Sequence, residues 1–269
     1  MPEGDTVFRT AAKLHETLAG RRLTGADLRV PAHATADLTD RLVTGVVPRG
    51  KHLLTRFDGG LTLHTHLRMD GRWAVFRTGE RWRGGPAHEI RAVLATTDHT
   101  AVGYRLPVVE LLRTADEQLA VGHLGPDLLG PDWDADEALR RLATAPERPL
   151  GEALLDQRNL AGIGNVYANE LCFMAGVTPW TPVGEVAVLD RITAKARHLL
   201  EANRLRAERI TTNDPRPGRR TWVYGRAGRP CSRCGTPVRT APYAENRPAF
   251  WCPYCQRGPA PHRPGGLSR

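Results

Sequence analysis

Four cysteines set the strongest constraint on this chain: Cys231-x2-Cys234-x17-Cys252-x2-Cys255. Two CxxC knuckles separated by a hairpin-length insert bring four thiolates to one tetrahedral ion, and that ligand set is the one for zinc. With all four positions filled by sulfur, none remains for a reactive water, so the expected role is structural, with one Zn2+ per chain. Two disulfides or a redox pair are the rival reading; disulfides suit an oxidising compartment, and redox work needs only one CxxC. Cys172, the fifth cysteine, falls in an apolar helical stretch and reads as a core residue.

Charge narrows the partner. The 269 residues carry 38 Lys+Arg against 29 Asp+Glu, a formal +9. Residues 1–148 hold 20 basic and 20 acidic side chains and residues 149–269 hold 18 and 9, so the whole excess lies in the C-terminal half. A localised basic region is the footprint of a polyanion. Nucleic acid comes ahead of an anionic membrane, because no basic amphipathic helix stands out. Only Lys13, Lys51 and Lys195 are lysines, and the other 35 cations are arginines, whose planar fork suits phosphate, although arginine-rich codon usage gives the same count. No apolar run approaches the ~18 residues of a membrane helix. Met1-Pro2-Glu3-Gly4-Asp5 is acidic where a secretory signal is basic. A soluble, cytoplasmic monomer is the expectation.

Val7, Ala11, Leu14 and Leu18 recur at helical spacing, after a candidate N-cap at Asp5 and before Gly20, which predicts a helix over 6–18. Residues 50–56 and 61–67 flank Asp58-Gly59-Gly60 and predict a β-hairpin, with further strands near 72–77 and 89–95. The Gly/Pro-punctuated stretch 124–133 marks a boundary. Helices are predicted over 134–143, 150–162, 165–175 and 184–208; residues 211–220 read as mobile and 256–269 as frayed. These elements describe an α+β chain. A two-layered β-sandwich with an N-terminal helix occupies 1–125, a helical domain 131–221 and a zinc-finger β-hairpin 222–260.

Two features carry chemistry. Ile163-Gly164 precedes a helix that Asn165 would cap, and the free N–H groups of a helix N-terminus make an anion site to which the Asn165 amide can add. Alone, a glycine before a helix is an ordinary turn. The chain start is more unusual. Removal of Met1, usual before a small second residue, leaves Pro2 with a secondary amine. An α-amino group has a pKa of ~7.7–8.0, so it can attack a carbonyl-like carbon near neutral pH and form an iminium. Glu3 stands beside it to move protons. From these two residues alone, a simple helix lead-in remains open.

Taken together, the N-terminal PEG, RGKHLLTRF (49–57), DQRNLAGIGNVYANELCFMAGVTP (156–179) and WVYGRAGRPCSRCG…ENRPAFWCPYCQ (222–256) resemble the formamidopyrimidine-DNA glycosylase/endonuclease VIII family across essentially the whole chain. The resemblance implies a bifunctional DNA glycosylase and abasic-site lyase acting on damaged double-stranded DNA. It also implies a helix–two-turns–helix motif and a zinc-finger hairpin. Pro2 would attack C1′, Glu3 would move protons, and Lys51 would contact the sugar or phosphate of the lesion. Asn165 and Arg247 would grip the flanking phosphates, and Met69, in HLRMDG, would fill the gap left by the flipped base. Arg49 and Arg158 read as general phosphate or surface residues. PEG, RGKHLLT and RPAFWCP lean to the endonuclease VIII branch and oxidised pyrimidines, whereas GNVYANE and WVYGR lean to the other.

The family commonly continues PE-x-PE, and here Asp5 and Thr6 stand in place of Pro and Glu. That departure keeps open a member with abasic-site lyase activity alone. A non-catalytic DNA-binding protein is the other rival, and it predicts no need for the Pro2 amine.

Overall fold

The computed structural model describes residues 1–244 and 247–261. Helix α1 (Gly4–Leu18) forms along the predicted apolar stripe, with Val7, Ala11, Leu14 and Leu18 all buried. Asp5 does not cap it. The helix starts at Gly4, Glu3 holds the capping backbone position, and Asp5 accepts the Thr6 N–H inside the first turn (2.7 Å).

Eight strands follow: β1 (Gly25–Leu28), β2 (Val43–Arg49), β3 (His52–Phe57), β4 (Leu61–His66), β5 (Arg72–Arg77), β6 (Ile90–Ala95), β7 (His99–Tyr104) and β8 (Val108–Arg113). They form two antiparallel four-stranded sheets, β1-β6-β7-β5 and β2-β3-β4-β8. The inner faces interdigitate with the α1 stripe in one core that includes Leu53, Leu63, Leu94 and Ala101. β2 contains Pro48, which lacks a ladder N–H, and accordingly lies at a sheet edge. On the outer face, Arg56 of β3 forks onto Glu117 at the start of α2 (Glu117–Val121) through bonds of 2.8 and 2.7 Å.

The second half packs α3 (Ala135–Leu142), α4 (Leu150–Leu155), α5 (Asn165–Ala175) and α6 (Leu189–Asn203) around a separate core. α5 runs through its middle, buried on every face from Asn165 to Phe173. α3 begins at Asp134, whose side chain accepts the Glu137 N–H.

Two helices are shorter than predicted, for one reason: polar side chains compete for the backbone. After α4, Asn159 donates to Ala153 O, while Gln157 donates to both Leu155 O and Ile163 O, so residues 156–164 fold as a turn. At the end of α6, Asn203 binds Ile210 through both its N–H and its carbonyl oxygen. Residues 211–220 are not loose either: the Thr211 N–H donates to Arg220 O and the Thr212 hydroxyl to Arg219 O, closing the loop at its base.

A hairpin of β9 (Arg239–Tyr243) and β10 (Arg247–Trp251) ends the fold. Residues beyond it are anchored as far as Pro259, since Gln256 donates to Val177 O, Arg257 pairs with Gly176 and Thr178, and the Thr178 hydroxyl donates to Pro259 O. The rest of the stretch predicted to fray, residues 262–269, lies outside the described residues. Among the described residues, no helix is long and apolar enough to cross a membrane.

The α1 stripe yields a direct test. Leu18 is fully buried where both sheets meet the helix, so Leu18→Ala should cost ~2–5 kcal/mol of unfolding free energy in urea titrations. A loss near zero would mean that the helix is not part of the sandwich core.

Candidate active site and nucleic-acid interface

The two halves meet at the turn 161–164, and the predicted catalytic residues converge there. Glu3 is fully buried and spans the junction. Its carboxylate accepts the N–H groups of Gly164 (2.8 Å), Val166 (2.7 Å) and Tyr167 (3.3 Å), the first donors of α5. A carboxylate is the natural partner for those unsatisfied amides and for the positive end of the helix. Gly164 is required: a Cβ there would lie 2.5 Å from the Glu3 carboxyl carbon. Beside it, the Gly4 N–H donates to Gly162 O (2.9 Å), which fixes the chain immediately after half-buried Pro2.

The β2–β3 tip that carries Lys51 packs on the same turn. Lys51 occupies, with Gly50, the two-residue tip between β2 and β3, just ahead of the predicted strand position. Gly50 adopts φ +56° and packs so closely on Ala161 that a Cβ would approach it to 2.9 Å. The Gly50 N–H donates to buried Asp127 (2.6 Å). Pro2-Glu3 and the Lys51 tip therefore meet one backbone segment.

Asn165 stands differently from its expected place. Gly164 takes the N-cap position and Asn165 is the first helical residue, fully buried. Its amide donates to Pro248 O (2.9 Å) and its oxygen accepts from Asn169, so it fastens α5 to the strand that begins at Arg247. Arg247 and His123 line a cleft of about 630 Å³ together with Arg148, Glu152, Asp156 and Arg158, between the α4 region and the hairpin. Arg158 is paired with Asp156 and Arg49 with Asp132. Met69 sits at the tip of a turn and is 58% exposed.

Asp5 is fully engaged. Arg209 grips it through Nε (2.7 Å) and Nη2 (2.5 Å), and the Tyr167 hydroxyl donates to it (2.8 Å). Burial pushes the Asp5 carboxyl up, but these donors outweigh it and hold it below the usual carboxylate range. No spacing in the sequence links Asp5 to Arg209, and neither Arg209 nor Tyr167 stood out in it. Arg209 lies in an arginine-rich stretch that reads as surface charge.

Four cysteines gather at the hairpin base with their sulfurs all within 4.8 Å of one another. The Cys231–Cys255 and Cys234–Cys252 separations of 3.9 and 3.4 Å bracket the ~3.8 Å edge of a tetrahedron built on ~2.3 Å metal–sulfur bonds. The Arg233 N–H points at the Cys231 sulfur and the Cys255 N–H at that of Cys252, which suits thiolates. The cluster fits a metal ion. Cys172 lies apart, buried in α5.

The formamidopyrimidine-DNA glycosylase N-terminal domain matches residues 1–107, and the formamidopyrimidine-DNA glycosylase H2TH domain matches residues 124–212. The probable endonuclease 8 2 of Streptomyces coelicolor is 64% identical over 99% of this chain and 97% of its own. The DNA-(apurinic or apyrimidinic site) lyase Nei2 of Mycolicibacterium smegmatis is 50% identical over 95% and 99%. In fold, the chain is similar to Lactococcus lactis Fpg in complex with DNA containing an abasic site, with TM-score 0.81, 20% identity and coverage of 96% and 100%.

Next to Lys51 stands a group of imidazoles. His52 Nδ1 lies 2.8 Å from His64 Nε2, His64 Nδ1 lies 2.8 Å from Glu110, and His66 and His123 face the His52 ring. Burial, then the neighbouring imidazoles and Lys51, push His52 down to about 3; burial, then Arg68 and Lys51, push His66 down to about 4. The unfolded chain, with histidines near ~6.5, therefore takes up protons first as pH falls. Stability from these neutral rings is complete above that value and is lost on descent towards pH 4. The urea midpoint should fall across this window, and His52→Phe should flatten the fall. An unchanged slope would contradict it.

Proposed function

Because the chain belongs to the formamidopyrimidine-DNA glycosylase/endonuclease VIII family, we propose that it excises oxidised bases, pyrimidines foremost, from duplex DNA through its Pro2 amine and then cleaves the strand. The supporting observation is the Glu3 carboxylate, fixed on the α5 amides one residue from Pro2 with the Lys51 tip packed on the same turn.

The steps follow from those positions. The Pro2 nitrogen bonds to C1′ as the bond from C1′ to the base breaks, and the base leaves with a proton. Glu3 transfers protons at the opening sugar. The resulting iminium acidifies the C2′ proton; its loss expels the 3′ phosphate, and a second elimination expels the 5′ phosphate. Hydrolysis of the iminium frees Pro2. Lys51 contacts the lesion's sugar or phosphate. Arg247 holds a flanking phosphate, Asn165 joins it only if its amide turns from Pro248 O to the DNA, and exposed Met69 enters the gap left by the flipped base. The basic half supplies sequence-independent attraction to DNA.

We infer that the four cysteines hold one zinc ion. Zinc supplies a rigid fold to the hairpin, and the chemistry stays with the N-terminal residues. A monomer in the bacterial cytoplasm fits these properties. Abasic-site cleavage without efficient base release is the second reading, favoured by the engagement of Asp5 with Arg209, which leaves no second free carboxylate at the chain start.

Borohydride trapping tests the chemistry on duplexes carrying a thymine glycol or an abasic site. The native chain should form a covalent adduct with both, and a chain retaining Met1, whose Pro2 nitrogen is then an amide, with neither. An adduct on abasic DNA alone selects the second reading, and tight binding with no adduct refutes catalysis. Cys231→Ser should lose stoichiometric zinc and DNA binding while the sandwich stays folded. DNA binding that survives metal loss would remove the hairpin from the interface.

A further inference from the structure

Arg209 lies in the segment between α6 and the hairpin, yet its side chain is only 14% exposed. Besides its two bonds to Asp5, its Nη1 stands 3.6 Å from Glu3 Oε1, and its Cζ lies 4.8 Å from the centre of the Tyr167 ring. An arginine buried among two carboxylates and a tyrosine is costly unless each charge is matched. Here each is. Asp5 is matched by the guanidinium, and Glu3 chiefly by the α5 amides.

We propose that Arg209 is a positioning residue acting through Glu3: its guanidinium holds the Glu3 and Asp5 carboxylates on one cation in a water-poor site. The proposal rests on the reading of Glu3 as the group that moves protons. The facing groups are few. α1 brings Asp5 and the neighbouring Pro2 amine. α5 brings Tyr167, and further along Glu170, which is occupied by the N–H groups of Trp222, Val223 and Tyr224. The stretch before the hairpin brings Tyr224, whose side chain is hydrogen-bonded to Asn165. Among these groups, Arg209 is the cation that touches both carboxylates. Burial opposes its charge, but Glu3 and Asp5 outweigh burial and keep it protonated. With a neutral residue at 209, two like charges would confront each other, and one carboxyl would take up a proton at a pH where both were ionised.

The test is the pH dependence of single-turnover cleavage on a duplex with one abasic site, for the native chain, Arg209→Gln, Arg209→Lys and the double variant Asp5→Asn/Arg209→Gln. Arg209→Gln should move the acid limb up by about one pH unit or more, with affinity for undamaged duplex changed less than about twofold. Lysine should restore much of the native limb. The double variant should also restore it, since no second carboxylate remains to repel Glu3. An unmoved limb, or an equal loss at every pH that the double variant does not repair, would overturn the proposal. Should Arg209→Gln fail to fold, Asp5→Asn alone decides. Arg209 then faces Glu3 undiluted and the acid limb should move down, and a stationary limb would count against the proposal. A native chain that forms no borohydride adduct would refute the catalytic reading itself, and the proposal with it.

Discussion

The Glu3 carboxylate lies at the centre of the contacts that join the two halves of this molecule. Glu3 belongs by sequence to the sandwich and by hydrogen bonding to α5, where it satisfies three backbone donors. Buried donors without partners are expensive, so the contact is structurally obligatory as well as chemically placed. Everything near it is shaped to admit it. Gly164 has no side chain, Gly4 is fastened to Gly162, and the α4–α5 turn is braced from behind by Gln157. The β2–β3 tip with Lys51 then docks on Ala161 and Asp127, so the two sides of the site are positioned by one turn.

The basic half follows the same logic at longer range. The cysteine cluster packs against Phe173 of α5 and stabilises a hairpin too short to persist alone. Asn165 carries that order across to Pro248, next to Arg247. A cation on the hairpin is thus held in register with the helix whose other contacts hold Glu3. Electrostatic attraction brings a polyanion to this face, but rigid placement of a few groups decides what happens there.

Much of this was legible in the residues. The α1 stripe, the β3–β4 hairpin and the cysteine spacing follow from periodicity, turn chemistry and ligand geometry. β1, β2, β7 and β8 did not stand out. β1 is only four residues long, β2 contains Gly45 and Pro48, and β1 and β8 pair with strands distant in sequence, β6 and β4. The true ends of α4 and α6 were hidden for a similar reason: Asn159, Gln157 and Asn203 look helix-tolerant until their side chains find backbone partners across a turn. At the site, the chain start and Lys51 could be singled out. Arg209 could not, because its meaning lies in a contact with Asp5, 204 positions away. Asn165 is the first residue of α5 and not its cap, and the contact of its amide with Pro248 depends on where the hairpin folds back.

Pro2 stands immediately before the anchor formed by Glu3 and Gly4. The proposed nucleophile is therefore tethered by one residue whose ring already restricts its rotation, and it searches a very small volume before it meets a sugar carbon. On the proposed chemistry, a peptide bond to the Pro2 nitrogen consumes the amine, and a residue inserted between Pro2 and Glu3 displaces it from the place where its short leash lets it react.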